Sequence, residues 1–192
     1  AIEWGVNLIG LMFVRGSRRC VSTSAATDIV KVVQDYGERS GSMSMNILEK
    51  LREINRSDSD SGSGGSDDGY NYYYTQAIKL LQHITTRSPL VVGVFQDQSI
   101  DEINEIITSI GIDIVQLHGD EDRSIVSQIN APVIKVLHIT GGSGFDNGVS
   151  GVSSKLIQKA IEFANTKRTL SLLLDTTTTT GTSPQVCHTY SI

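Results

Sequence analysis

Apolar positions along the chain fall into two kinds of block. "NLIGLMFV", residues 7–14, is a short unbroken apolar run, which predicts a strand buried on both faces. "STSAATDIVKVVQDYG" follows with Ala25, Ile29, Val32 and Val33 at helical spacing and Ser22 or Thr23 as its N-cap. The same two blocks then recur. "PLVVGVF" (89–95) reads as a strand, and "SIDEINEIITSIG" (99–111) as a helix capped by Ser99, with acids in its first turn and Gly111 as its stop. "IDIVQL" (112–117) is a third strand, "DEDRSIVSQI" (120–129) a short helix, "PVIKVLHI" (132–139) a fourth strand, "SSKLIQKAIEFAN" (153–165) a helix and "LSLLLD" (170–175) a fifth strand.

Apolar strands alternating with helices predict an α/β fold with parallel strands joined by crossover helices. The pattern suits an open doubly wound sheet or part of a closed (β/α)8 barrel. A complete barrel usually takes about 250 residues, and five strands do not close one. Two stretches interrupt the alternation. Residues 56–74, "RSDSDSGSGGSDDGYNYYY", are Ser/Gly/Asp-rich, and this composition predicts a disordered insertion with helical flanks "MSMNILEKLREI" and "TQAIKLLQHI". Tyr70 and Tyr72–Tyr74 could dock on the surface. Residues 140–151, "TGGSGFDNGVSG", match neither G-x-G-x-x-G nor the P-loop spacing and read as a flexible loop on the active-site side.

Composition narrows the function classes. The chain has 192 residues and a formal net charge of -5, which leaves no basic footprint for nucleic acid. No apolar run approaches the ~20 residues of a membrane span, and the N-terminal "AIEWGVNLIG" is not a signal peptide. Cys20 and Cys187 have no metal-ligand or CxxC spacing, so reduced cytoplasmic thiols are the expectation. Histidines and cysteines are too scattered in sequence to predict a metal cluster, and no cofactor is expected.

In parallel α/β folds, chemistry collects where the strands end. The first strand runs into "RGSRRCVS", where Arg15, Arg18 and Arg19 form either a solvated basic turn or an anion site holding a carboxylate or phosphate through a guanidinium fork. The second ends at Phe95-Gln96-Asp97, and the third brings Gln116 and His118, in "IVQLHGDE", out of a buried strand. The fourth carries Lys135 and His138. Asp175 ends the fifth after three leucines. It is either a turn or N-cap aspartate or a carboxyl whose lost hydration suits it to general-acid work. His118 is itself either an ordinary loop histidine or a site residue.

"GLMFVRGSRRCVS", "VVGVFQDQSIDEI", "GIDIVQLHGDE", "PVIKVL" and "LLLDT" occur in the order and approximate spacing of phosphoribosylanthranilate isomerase, in the form seen in fungal tryptophan-biosynthesis proteins. The resemblance covers about residues 1–182, apart from the insertion and the glycine-rich loop, and leaves 183–192 as an unmatched tail. It implies an incomplete (β/α)8 TIM barrel, approximately strands 2 to 6 with their helices. It also implies a cofactor-free Amadori rearrangement of N-(5-phosphoribosyl)anthranilate to 1-(2-carboxyphenylamino)-1-deoxyribulose 5-phosphate. An acid protonates the ribose ring oxygen, opening the ring to a Schiff base; a base removes the C2 proton, and the enolamine collapses to the ketone. By resemblance Asp175 is the acid, Arg19 holds the anthranilate carboxylate, and Gln116 and His118 line the pocket. The implied partners are this phosphosugar substrate and fused or associated tryptophan-pathway domains, with no nucleic acid and no membrane.

The departures are as specific. The family's general base is a cysteine in a Lys-x-Cys-Gly segment on the first barrel strand, and no such segment occurs in this sequence. The glycine-rich turns that hold the substrate phosphate after strands 7 and 8 have no counterpart either. After Asp175, "DTTTTTGTSPQVCHTYSI" keeps Gly181-Thr182 of the family loop and then loses the pattern, as a truncated or misjoined gene product would. The chain is therefore expected to be inactive alone. The alternatives are a non-catalytic remnant or another phosphosugar-binding barrel enzyme, the latter disfavoured by the Arg19 loop together with "VQLHGDE".

Overall fold

A computed structural model of the chain describes residues 2–60, 68–86, 88–140, 154–166 and 168–177. Leu8–Met12 (β1), Leu90–Phe95 (β2), Ile114–Leu117 (β3), Val133–Thr140 (β4) and Thr169–Thr177 (β5) form one sheet whose spatial order is chain order. Every adjacent pair is parallel. The connections contain Thr23–Tyr36 (α1), Ser44–Asp60 (α2), Asp68–Thr85 (α3), Ile100–Ile106 (α4) and Ser154–Ala164 (α5), with a 3-10 turn at Arg123–Gln128 between β3 and β4.

Local chemistry sets the helix ends. Ser22 and Ser99 each accept a hydrogen bond from the backbone N–H three residues on, at 3.2 Å, meeting donors the first turn leaves open. α4 widens into a π turn, Ile107–Gly111, and stops at Gly111, whose φ of 90° suits a residue without Cβ. The face α1 buries keeps Val33 of the expected set and is otherwise one residue away from it. Ala26, Val30 and Val33 are packed, whereas Ala25, Ile29 and Val32 are exposed. Both stripes have helical spacing, and contact with the sheet selects between them.

Helices cover both faces of the sheet. One face packs Leu11, Val91, Phe95, Val115, Leu117 and Val133 against α1, α4, the 3-10 turn and Phe163 of α5. The other packs Leu90, Val92, Ile114, Ile134 and Leu170 against Ile47 and Leu51 of α2 and Tyr73 and Ala77 of α3. β2, inside the sheet and covered twice, is buried at every position. β1 departs from its expected burial on both faces: it is an edge strand, with Leu11 buried and Leu8 42% exposed.

The stretch expected to be a disordered insertion at about 56–74 needs a correction at both ends. Residues 56–60 belong to α2 and 68–74 to α3; residues 61–67 lie outside the described residues. Tyr73 is fully buried rather than docked on the surface, and burial pushes its phenol pKa up. Packing against the sheet has overridden a composition poor in helix formers. Residues 141–151 of the glycine-rich loop and the tail at 183–192 lie outside the described residues.

At the start of β3 a buried ion pair ties the segment leading into the α2–α3 hairpin to the sheet. Asp113, fully buried, accepts from both terminal guanidinium nitrogens of Arg39 (3.0 and 2.7 Å) and from the backbone N–H groups of Met43 (2.7 Å) and Val91 (2.8 Å). Arg39 completes its donors on Ser88 Oγ and the carbonyls of Gly41 and Pro89. A charge withdrawn from water this completely is stable only when every lone pair is met, as here.

Candidate active site

The strands' period of two places a row of polar groups on one face at the C-terminal end of the sheet. Gln116 is in register with Ile134, and His138 with Asp175, so alternation carries Gln116, His138 and Asp175 to the same face. His118 follows as the chain leaves β3, its N–H donating to the Phe95 carbonyl at 2.8 Å.

These groups meet at one carboxylate oxygen. His118 Nε2 lies 3.6 Å and His138 Nδ1 3.7 Å from Asp175 Oδ2, and the two rings stand edge to face with centroids 5.0 Å apart. The Gln116 amide lies 3.5 Å from His118 Nδ1. Asp175 is 5% exposed. His138 Nε2 is 2.8 Å from the His118 carbonyl oxygen, which can only accept, so Nε2 carries the hydrogen. A neutral ring then turns a bare Nδ1 lone pair toward the carboxylate. That nitrogen is buried and has no hydrogen-bond partner among the described residues. A lone pair and a carboxylate repel unless a proton or another cation sits between them. Burial foremost, then the neighbouring His138, holds the His118 pKa below the ordinary histidine value against the opposing pull of Asp175.

A second polar group fixes the loop that carries His118. Lys135, fully buried on the opposite face, donates to Glu121 Oε2 at 2.5 Å and to the Gly119 carbonyl at 2.6 Å. Glu121 Oε1 accepts the N–H groups of Gly119 (3.0 Å) and Asp97 (3.1 Å). Asp97, at φ 54°, caps the Asp120 N–H at 2.8 Å. Gly119 is required for close approach: a Cβ there would stand 2.2 Å from Asp97 Oδ1. Burial pushes the Glu121 pKa up, but the Lys135 ammonium and the Asp97 N–H outweigh it and hold the carboxyl below its usual value.

Of the residues singled out in the sequence, Gln116, His118 and Asp175 thus come together. Arg19 does not join them. It lies exposed in the turn after the edge strand β1, and its guanidinium makes no hydrogen bond or ion pair among the described residues. Arg15, its neighbour, is paired with Glu102 at 2.8 Å. His138 was visible only as a polar residue near a strand end, and the β4–β5 register is what gives it a partner. The sequence offered no metal cluster because the donors are far apart along the chain; the sheet nonetheless brings the candidate ligand atoms of His118, His138 and Asp175 within 4.8 Å of one another.

The family model described as N-(5'phosphoribosyl)anthranilate (PRA) isomerase matches residues 47–150, over half of the chain, a span that includes Gln116, His118 and His138. A "Tryptophan biosynthesis protein TRP1" of Phytophthora nicotianae is 33% identical over 179 residues, covering 92% of this chain and 29% of that protein. An N-(5'-phosphoribosyl)anthranilate isomerase of Wickerhamomyces anomalus is 34% identical over 135 residues, covering 70% of this chain and 50% of the enzyme. The chain thus spans half or less of the length of these relatives. The crystal structure of phosphoribosyl anthranilate isomerase from Thermotoga maritima shares the fold with a TM-score of 0.54 at 17% identity, over 95% of this chain and 58% of that one. On the matched residues, this chain belongs to the N-(5'-phosphoribosyl)anthranilate isomerase family.

Proposed function

We propose that residues 1–182 supply approximately strands 2 to 6 of a (β/α)8 barrel that isomerises N-(5-phosphoribosyl)anthranilate to 1-(2-carboxyphenylamino)-1-deoxyribulose 5-phosphate. The protein works in the cytoplasm, within or beside other tryptophan-pathway domains. Asp175 is the acid that protonates the ribose ring oxygen. Gln116 and His118 line the pocket, and Arg19 takes the anthranilate carboxylate once the barrel mouth is complete. The base and the phosphate-holding turns come from outside these residues, so the chain does not turn over substrate alone. The observation carrying this reading is the convergence of Gln116, His118 and Asp175 at the C-terminal end of a sheet whose strands follow chain order. A doubly wound sheet reverses that order, whereas a barrel arc keeps it.

The test is turnover of N-(5-phosphoribosyl)anthranilate by the complete source protein and its Asp175→Asn variant. Loss of the acid is expected to lower kcat by about 10²–10⁴-fold. Near-normal turnover would remove Asp175 from the role. Measurable turnover by the 192-residue chain alone would show that the missing groups are dispensable.

A second reading, a non-catalytic module, is favoured by one observation. α2 and α3 pack on the face that carries Gln116, His138 and Asp175, the face a closed barrel would turn inward. A hairpin seated there fills the space of a barrel interior. This reading expects no isomerisation even from the complete protein.

A further inference from the structure

We infer that His118, His138 and Asp175 form a binding site for one divalent transition ion of the zinc, cobalt or nickel kind. The donor set is two imidazole nitrogens and one carboxylate oxygen, which suits these ions rather than magnesium or calcium. Bonds of about 2.0–2.1 Å at tetrahedral angles set ligand atoms roughly 3.3 Å apart. The two nitrogens lie 3.6 and 3.7 Å from Asp175 Oδ2, and all the candidate ligand atoms lie within 4.8 Å of one another, so the side chains draw together around the ion on binding.

Three further features point the same way. A ligating histidine normally donates its other ring N–H to a carbonyl or carboxylate, which fixes the tautomer. His138 already does so, through Nε2 to the His118 carbonyl at 2.8 Å, leaving Nδ1 free to ligate. Nδ1 itself is a buried polar atom with no hydrogen-bond partner among the described residues, aimed at the carboxylate. Gln116 stands beside His118 Nδ1 at 3.5 Å; with its amide turned to present oxygen it would hold that N–H and leave Nε2 to the ion. The donors sit on three adjacent strands and their ends, a rigid frame. His118 and His138 keep side-chain exposures of 29% and 30%, so the two rings are not sealed from solvent.

The test is titration of the untagged 192-residue chain with Co²⁺, read by visible d–d absorption, and with diamagnetic Zn²⁺, read by the histidine ring signals in proton NMR. One ion per chain is expected, with displacement by Zn²⁺ and shifts in two of the four histidines. His118→Ala and His138→Ala should abolish the visible band, and Asp175→Asn should weaken binding at least about tenfold. Gln116→Ala, a positioning change, should weaken it about 10–100-fold. His83→Ala, on the exposed surface of α3, should leave it unchanged. Far-UV circular dichroism identifies any variant that fails to fold, in which case the wild-type NMR shifts decide. Absence of a band at saturating Co²⁺, shifts in no histidine or in all of them, or undiminished binding by His138→Ala would overturn the site. The inference does not depend on the isomerase reading. Where both hold, Zn²⁺ takes the same carboxylate oxygen as the proposed acid and inhibits turnover; activity without metal binding, or binding without activity, separates the two.

Discussion

Lys135 has no exposed surface; burial holds its pKa below the ordinary lysine value against the opposing pull of Glu121, and its amino group donates to Glu121 and the Gly119 carbonyl. Removing one partner of such a pair costs more than removing both, since the survivor stays buried without compensation. Lys135→Met should therefore lower stability by about 3–5 kcal/mol in urea unfolding, and Lys135→Met with Glu121→Leu should recover much of the loss. A single variant of near wild-type stability would show that the pair contributes little. Glu121 also sets an acid limit. Its folded pKa lies below the 4.5 of a free glutamate, so its contribution is fully present above that value and is lost as pH falls through the folded one. Glu121→Gln should flatten the acid limb of the stability–pH curve. At this scale the sequence was half legible. His118 and Asp175 stood out because each ends an apolar strand. The Lys135–Glu121 pair joins residues on opposite sides of a turn and a strand, and His138 needs the β4–β5 register to acquire its neighbour.

The helices and strands themselves followed from periodicity, since each apolar run was bounded by caps or turn residues. What periodicity could not choose was which face each helix turns inward, hence the one-residue rotation of α1. Nor could composition foresee that α3 would begin at Asp68, inside the Ser/Gly/Asp-rich stretch, with Tyr73 buried against the sheet. The α2–α3 hairpin depends on one more contact, the Arg39–Asp113 pair at the root of α2. Arg39→Leu would strand the Asp113 carboxylate and should cost about 3–5 kcal/mol. The loss should be local enough to read by hydrogen exchange: amides of α2 should lose protection before those of β2 and β3. Uniform loss across the chain would mean that the hairpin and the sheet unfold as one unit.

Among the described residues the sheet has two edges. Leu8 of β1 is 42% exposed, and β5 pairs only with β4 among the described residues. Unpaired strand edges invite pairing with another chain. Sedimentation velocity should show self-association that grows with concentration, weakened by Leu8→Lys if β1 is the edge used; a sedimentation coefficient independent of concentration would argue that both edges are blunted. The five-strand parallel layout was legible from alternation alone. That strands would be covered on both faces was legible too, but that α2 and α3 would supply the second cover was not, because a helix inserted between α1 and β2 carries no mark of the face it will choose. The strand order has one further consequence, for synthesis. Each strand pairs with the one made just before it, so the sheet can extend in the order the ribosome delivers it. Gln116, His138 and Asp175 belong to β3, β4 and β5, and the site therefore stays incomplete until β5 emerges and docks. A nascent chain stalled before residue 169 would hold Gln116, His118 and His138 but lack the carboxylate on which they converge.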